Sequence, residues 1–354
     1  MSHAHRARRL AGLLAGVVLL VGTAAACGDS GSDTAAGTAA KSSASSDAFP
    51  VTIKHKFGST TIKSEPQRIV TIGLTDQDAV LALGKVPVAT TNWLGDYKGA
   101  IGPWAQDKLG SSAVPTVLKD TGTGPQIEKI AALKPDLIIA LYSALTKAQY
   151  QTLSKFAPVV AQPKEYNDYG IPWQQQTETI GKALGKADEA KKLVDGVEAN
   201  FAAAKAKYPA FAEATAVMAT PYEGIFVYGS QDPRSRLLSD LGFALPSGLD
   251  KVIGDSFGAN ISSERTDLLD QDVAVWIVPD TTTAVTKLHA TKLYGDLNVV
   301  KQGREVFIVE SSDYGNAVSL STVLSIPYVL DRLVPQLAAA VDGKTATKVE
   351  QPAS

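Results

Sequence analysis

Cysteine is almost absent from this 354-residue sequence, occurring once at Cys27. Intramolecular disulfides, Cys-rich zinc sites and a thiol nucleophile inside the fold are excluded unless Cys27 itself takes part. Histidine is nearly as scarce. His3 and His5 stand at the extreme N-terminus, while His55 and His289 lie far apart in polar runs that predict surface positions, so a metal site built from several imidazoles has no ligand supply. A basic surplus is missing as well: 34 Lys+Arg against 36 Asp+Glu give a formal net charge of −2, and a nucleic-acid partner is set aside. No G-x-x-x-x-G-K-[ST] run occurs, and Thr121-Gly122-Thr123-Gly124 is too short of glycines for a dinucleotide fingerprint. What remains is ordinary globular composition, 45% hydrophobic and 20% charged, with length for roughly two domains.

The position of Cys27 is informative. Arg6, Arg8 and Arg9 precede an apolar run from Leu10 to Ala26 that ends Ala24-Ala25-Ala26-Cys27, which reads as a basic n-region, an h-region and a small-residue cleavage site. Small residues before a lone cysteine resemble the lipobox of bacterial lipoproteins, whose thiol is diacylated and becomes the first residue of the mature chain. Arg8-Arg9 leaves a twin-arginine export route open beside the general one. Two or more acyl chains suffice for stable anchoring to a membrane where one is marginal. Residues 1–26 are thus expected to be a lipoprotein signal peptide, and their loss removes three arginines and no acid, leaving the mature chain near −5. Residues 27–48 carry Gly, Ser, Thr, Ala and Asp with hardly a large apolar side chain, so the lipidated Cys27 is expected to lead into a tether on the order of 25 Å in span.

Beyond the tether, short apolar runs alternate with helical patterns. Ile69 to Ile72, Val86 to Ala89, Leu137 to Ala140 and Val159 to Ala161 predict strands of parallel sheets covered on both faces. Asp188 to Tyr208 is a longer segment with Leu193, Val197 and Phe201 at i+4 spacing, acids at its start, Lys205 and Lys207 at its end and Pro209 beyond, all complementing a helix dipole. It is expected to bridge two lobes. A weak repeat supports two lobes: Glu128, Leu133 and Asp136 recur as Glu264, Leu269 and Asp272, each offset by 136 residues and each leading into an apolar run. The expected organisation is an N-terminal α/β lobe over 49–186, an interdomain helix over 187–208, a C-terminal α/β lobe over 209–343 and a tail over 344–354.

Gly254-Asp255-Ser256-Phe257-Gly258 matches the G-x-S-x-G nucleophile elbow, with His289 downstream in the order a hydrolase triad needs. The elbow requires a buried strand before the serine and a helix after it. Leu249 to Ile253 is a poor strand and Asn260 to Glu264 reads as a turn, so a secreted serine hydrolase is the distant alternative.

Aromatics and arginines cluster at strand ends. The carboxyl ends of strands in open α/β sheets face the ligand crevice, which points Leu74-Thr75-Asp76, Asn92-Trp93, Leu141-Tyr142-Ser143, Tyr222, Tyr228, Arg234 and Ser312-Asp313-Tyr314 at one cleft. Trp276, inside an apolar run, is assigned to the core. Trp104, Tyr169 and Trp173 are expected in loops whose facing the pattern does not set.

Pro66 to Val70, Ile127-Glu128-Lys129-Ile130-Ala131-Ala132-Leu133-Lys134-Pro135-Asp136-Leu137-Ile138-Ile139, Ser235 to Phe243 and Leu324 to Leu330 together resemble the substrate-binding lipoproteins of ABC importers for ferric siderophores, haem and cobalamin. The resemblance is to the class III periplasmic-binding-protein family, in its ferric-siderophore branch of actinobacterial type, and covers about Val51 to Gly343. It implies two Rossmann-like lobes with central parallel sheets joined by a long rigid interdomain helix. It implies no enzymatic activity and no cofactor, but a monomeric receptor on the extracytoplasmic face of the membrane that takes a ferric siderophore between the lobes and passes it to an ABC transporter permease. Permease docking would fall to Glu128 and Asp240, the latter one methylene shorter than the glutamate common there. Arg234 and Arg265 would face the oxygens around chelated iron, with Trp93, Tyr142, Tyr222 and Tyr314 against the ligand skeleton. Because the chelator ligates the metal, no direct protein ligand is expected. The alternative cargo is haem, with Tyr142 or Tyr222 as its axial ligand.

Overall fold

The computed structural model describes residues 48–119, 124–344 and 346–351. The signal peptide, Cys27 and the tether up to residue 47 lie outside the described residues, as does most of the Thr121 to Gly124 run.

Two five-stranded sheets organise the rest. The chain enters through an antiparallel hairpin, β1 (Val51–His55) and β2 (Gly58–Ile62). Then come β3 (Ile69–Thr71), β4 (Ala89–Asn92), β5 (Thr116–Lys119), β6 (Leu137–Ala140) and β7 (Val159–Ala161), which form a wholly parallel sheet in the order β5-β4-β3-β6-β7. Every residue of β3, β6 and β7 is buried, as expected of strands covered by helices on both faces. The second strand begins at Ala89, three residues later than the apolar run suggests, because Pro87 has no N–H to give a ladder.

The second sheet comprises β8 (Ala216–Thr220), β9 (Phe226–Tyr228), β10 (Gly258–Asn260), β11 (Val273–Val278) and β12 (Glu305–Val309) in the order β10-β9-β8-β11-β12. It is mixed: β8, β11 and β12 are parallel, while β9 runs antiparallel to both its neighbours. The few residues between Thr220 and Phe226 are too short for a parallel crossover, which takes a dozen or more.

The internal repeat has a structural meaning. Asp136 accepts the backbone N–H groups of Gln67 and Arg68, both at 2.8 Å, just before β3. Asp272 accepts the backbone N–H and hydroxyl of Thr215, both at 2.9 Å, just before β8. In each lobe the aspartate preceding one central strand fastens the start of the other, and the registers agree, Leu137 beside Ile69 and Val273 beside Ala216.

The connecting helix runs Ala187–Lys207 and buries Ala190, Val194, Val197 and Phe201 along one stripe. Its 21 residues extend about 32 Å. The helix Trp173–Ala183 crosses it so closely that a Cβ on Gly181 would stand 2.2 Å from that of Ala190. Gly181→Ala is expected to destabilise the protein by about 1–3 kcal/mol despite alanine's better helix propensity, read as a lower urea midpoint at unchanged slope.

Trp276 is fully buried, as the pattern predicts, and its indole N–H donates to the Tyr294 hydroxyl at 2.6 Å. His55 is a correction: it is buried against Tyr150 and within 3.0 Å of the Thr60 hydroxyl, because the hairpin folds its short polar run onto β7.

Candidate binding cleft

In the first lobe the strand order changes direction between β3 and β6, the place where doubly wound sheets open a crevice. A buried carboxylate closes the gap between their carboxyl ends. Asp76 accepts the backbone N–H of Leu141 at 2.9 Å, that of Tyr142 at 3.1 Å and the Gln176 amide at 2.6 Å. Burial pushes its pKa up while these donors pull it down. Gly73 leaves the room Asp76 needs, since a Cβ there would stand 2.1 Å from the carboxylate. The clamp holds Tyr142 in an aromatic group, with Trp93 at 6.4 Å and Tyr169 at 5.4 Å between ring centres. Beside them a cavity of about 340 Å³ is walled by Thr91, Lys119, Ser143, Thr146, Gln149 and Tyr169 among others.

The second lobe contributes the start of helix Pro233–Asp240. Asp232 caps it by accepting the Arg234 backbone N–H at 2.9 Å, and the same carboxylate takes Nε and Nη2 of the Arg234 side chain, both at 2.7 Å. The guanidinium lies over the Tyr228 ring, 3.9 Å from its centre. Asp232, Arg234 and Arg236 all act electrostatically on the Tyr142 hydroxyl, which places this turn opposite the first lobe's aromatic group. Burial pushes the Tyr142 hydroxyl well above its ordinary range.

Contacts between the lobes flank this mouth. Tyr97 donates to Asp313 at 2.8 Å and accepts from the Asn316 amide at 2.7 Å. Arg236 donates from Nη2 to the Gly170 carbonyl at 2.8 Å, and its Nη1 is buried without a partner. Asp78 accepts the Trp104 indole N–H at 2.9 Å and the Thr322 hydroxyl, while its other oxygen is buried and unpartnered. Burial raises Asp78 from 3.8 to about 6. A carboxyl whose pKa is raised by folding contributes most below about pH 4, and that contribution is lost as pH rises through 6. Melting curves of wild type and Asp78→Asn are therefore expected to diverge, the wild type losing ground to the variant from pH 4 to 7.

The sequence-predicted residues fall in different places. Trp93, Tyr142 and Arg234 come together beside the mouth, Trp93 partly exposed and Tyr142 and Arg234 buried. Tyr222 is 61% exposed. Arg265 is paired with Asp267 at 2.9 Å in a partly exposed turn. Tyr314 is buried and donates its hydroxyl to Gln336 at 2.9 Å. Glu128 is exposed in the first turn of helix Ile127–Ala132. Asp240 is half-buried, and one of its oxygens accepts the Trp173 indole N–H of the first lobe at 3.4 Å. Glu264, the repeat partner of Glu128, is exposed. Sequence reasoning missed Tyr97, Arg236 and Asp78, whose cross-lobe partners lie 66 to 244 residues away.

The elbow motif has the opposite context to a hydrolase: helix Leu249–Ile253 precedes Ser256 and β10 follows it. His289 bonds to Glu305 at 2.9 Å, and Glu305 also takes the Tyr294 hydroxyl. Among the described residues no group of three or more His, Cys, Asp or Glu side chains could hold a metal ion.

The two sheets and the α/β architecture agree with what comparison with known proteins finds. The periplasmic binding protein family matches residues 69–310. The chain belongs to this family. The periplasmic binding protein fold thus accounts for both sheets, and the chain is a solute binder rather than an enzyme. It is 27% identical over 323 residues to the putative ABC transporter substrate-binding lipoprotein YhfQ of Bacillus subtilis, spanning 87% of this chain and 94% of that one. A periplasmic solute binding protein from Mycobacterium smegmatis superposes with a TM-score of 0.71 at 33% identity, over 82% of this chain and 98% of its own. PiaA of Streptococcus pneumoniae, solved in complex with ferrichrome, superposes with a TM-score of 0.71 at 28% identity, over 83% of this chain and 99% of its own.

Proposed function

We propose that this protein is the extracytoplasmic receptor of an iron importer, which takes a ferric siderophore into the mouth between its lobes and delivers it to an ABC permease. The observation that carries the reading is the convergence of Tyr142, held by the Asp76 clamp, and Arg234, held by Asp232, from opposite lobes on one aromatic-lined cleft. Aromatic faces suit the apolar skeleton of a chelator, and guanidinium donors suit the oxygens around its metal. The similarity to a lipoprotein and to a ferrichrome-bound structure supports the same reading. Cys27, diacylated, is the anchor in this account, and the receptor works as a single copy.

For docking, Glu128 and Glu264 form the pair that the repeat supports. They occupy corresponding turns in the two lobes and both are exposed, whereas Asp240 is half-buried beside Trp173. The double variant Glu128→Arg, Glu264→Arg is expected to bind its cargo as wild type does, yet to cut radiolabelled ferric-siderophore uptake by cells more than about tenfold, because like charges at a docking surface cost several kcal/mol. Undiminished uptake would remove these residues from the docking surface, and loss of cargo binding in the same variant would place them in the cleft.

A further inference from the structure

We propose that the cleft selects ferric complexes without net negative charge, of the tris-hydroxamate type, and that Asp232 sets this preference. The inference rests on the ferric-siderophore reading and names the class of cargo within it. Three catecholate groups leave ferric iron trianionic, whereas three hydroxamates neutralise it, so the two classes differ chiefly in the charge they bring into the protein.

The second-lobe charges at the mouth offer no surplus to a polyanion, and the first lobe sets Lys119 on the cavity wall. Arg234 is the arginine best placed for one, yet both oxygens of Asp232 already take its Nε and Nη2, with both side chains almost fully buried. Such a fork-to-fork pair is internally compensated, and drawing the guanidinium toward an anionic ligand would strand a buried carboxylate. Arg236 lies in the fields of Asp232 and Asp240, so it too is opposed. Two further acids stand at this end of the second sheet: Glu310, exposed where β12 ends and within electrostatic reach of Tyr228, and Asp313, bound to Tyr97. A trianion would meet an Arg234 already held by Asp232 and two further acids, Glu310 and Asp313. A neutral complex meets the aromatic groups around Trp93 and Tyr142 without drawing Arg234 away from the buried Asp232 carboxylate. Rejection of the trianion is therefore built from like charges and committed partners rather than from shape.

The test is calorimetric titration of the folded protein with ferrichrome, ferric enterobactin and ferric citrate, repeated on Asp232→Asn, in which asparagine can still cap the helix. Wild type is expected to favour ferrichrome over the two anionic complexes by at least about tenfold. Asp232→Asn should erase most of that ratio by tightening the anionic complexes. Glu310→Gln, at an exposed position, should shift the ratio the same way to a smaller extent and keeps the test available if Asp232→Asn fails to fold. Tighter binding of either anionic complex by wild type would overturn the inference and leave the siderophore reading standing. Equal changes for all three complexes in Asp232→Asn would remove Asp232 from selectivity. No binding of any of the three would overturn both this inference and the reading beneath it.

Discussion

Asp76→Ala is expected to lower the stability of the protein by about 3–5 kcal/mol and to abolish cargo binding at concentrations where wild type is saturated. The substitution leaves two backbone N–H groups at the end of β6 without their acceptor and takes one of two acceptors from the Gln176 amide, in a site where Asp76 itself is 0% exposed. Each buried donor so orphaned costs about 1–3 kcal/mol, and the cavity adds to the sum. The binding defect follows from position, since the clamp fixes the peptide that carries Tyr142. Denaturant unfolding measures the first effect and calorimetry at a temperature where the variant is folded measures the second. A stable variant with unchanged binding would show that the carboxylate braces nothing.

Tyr142→Ala is expected to weaken cargo binding by about 10- to 100-fold while the fold survives. Its ring lies between Trp93 and Tyr169 and faces the Asp232 and Arg234 turn from the other lobe, the central position in which an aromatic side chain contributes most to an interface. Tyr142→Phe should keep most of the affinity if the ring face is what matters. Tyr222→Ala supplies the contrast: at 61% exposure, and further from this group than the named ring contacts, it should change affinity less than about threefold. Equal losses at both positions would move the cargo outward, away from the clamp.

The core strands were the most legible part of the sequence. β6 and β11 are continuous apolar runs, and such runs announce burial on both faces without reference to any distant residue. β9 and β10 are three residues each and carry no period, so only the connection length after β8 reveals their antiparallel pairing. The repeat was legible as spacing, but its purpose was not. Asp136 and Asp272 matter because each reaches the backbone of a strand start 57 to 69 residues earlier, and nothing local encodes that reach.

The same division runs through the cleft. Arg234 and Tyr142 could be picked out because strand ends and helix starts gather at one edge of an α/β sheet. The committed state of Arg234 lay two residues away in Asp232, close enough to be read, yet a cap and an ion pair made by one carboxylate look alike in sequence. Tyr314 sits in the expected element, but its helix turns it inward to Gln336, and helical phase at the first turn after a loop is not set by composition. Tyr97, unmarked by any pattern, bridges to Asp313 and Asn316 across more than 200 residues of chain.

Capture of a ferric siderophore between the lobes is read out by equilibrium titration of tryptophan fluorescence with ferrichrome. The four tryptophans include Trp93 at the mouth, within 6.4 Å of Tyr142, so a chelated ferric ion bound there should quench emission. The account predicts saturable one-to-one quenching with a dissociation constant in the micromolar range or below, reduced in amplitude by Trp93→Phe and weakened by Tyr142→Ala. An unsaturable response to ferrichrome and to anionic ferric siderophores alike, in a protein shown to be folded, would contradict it.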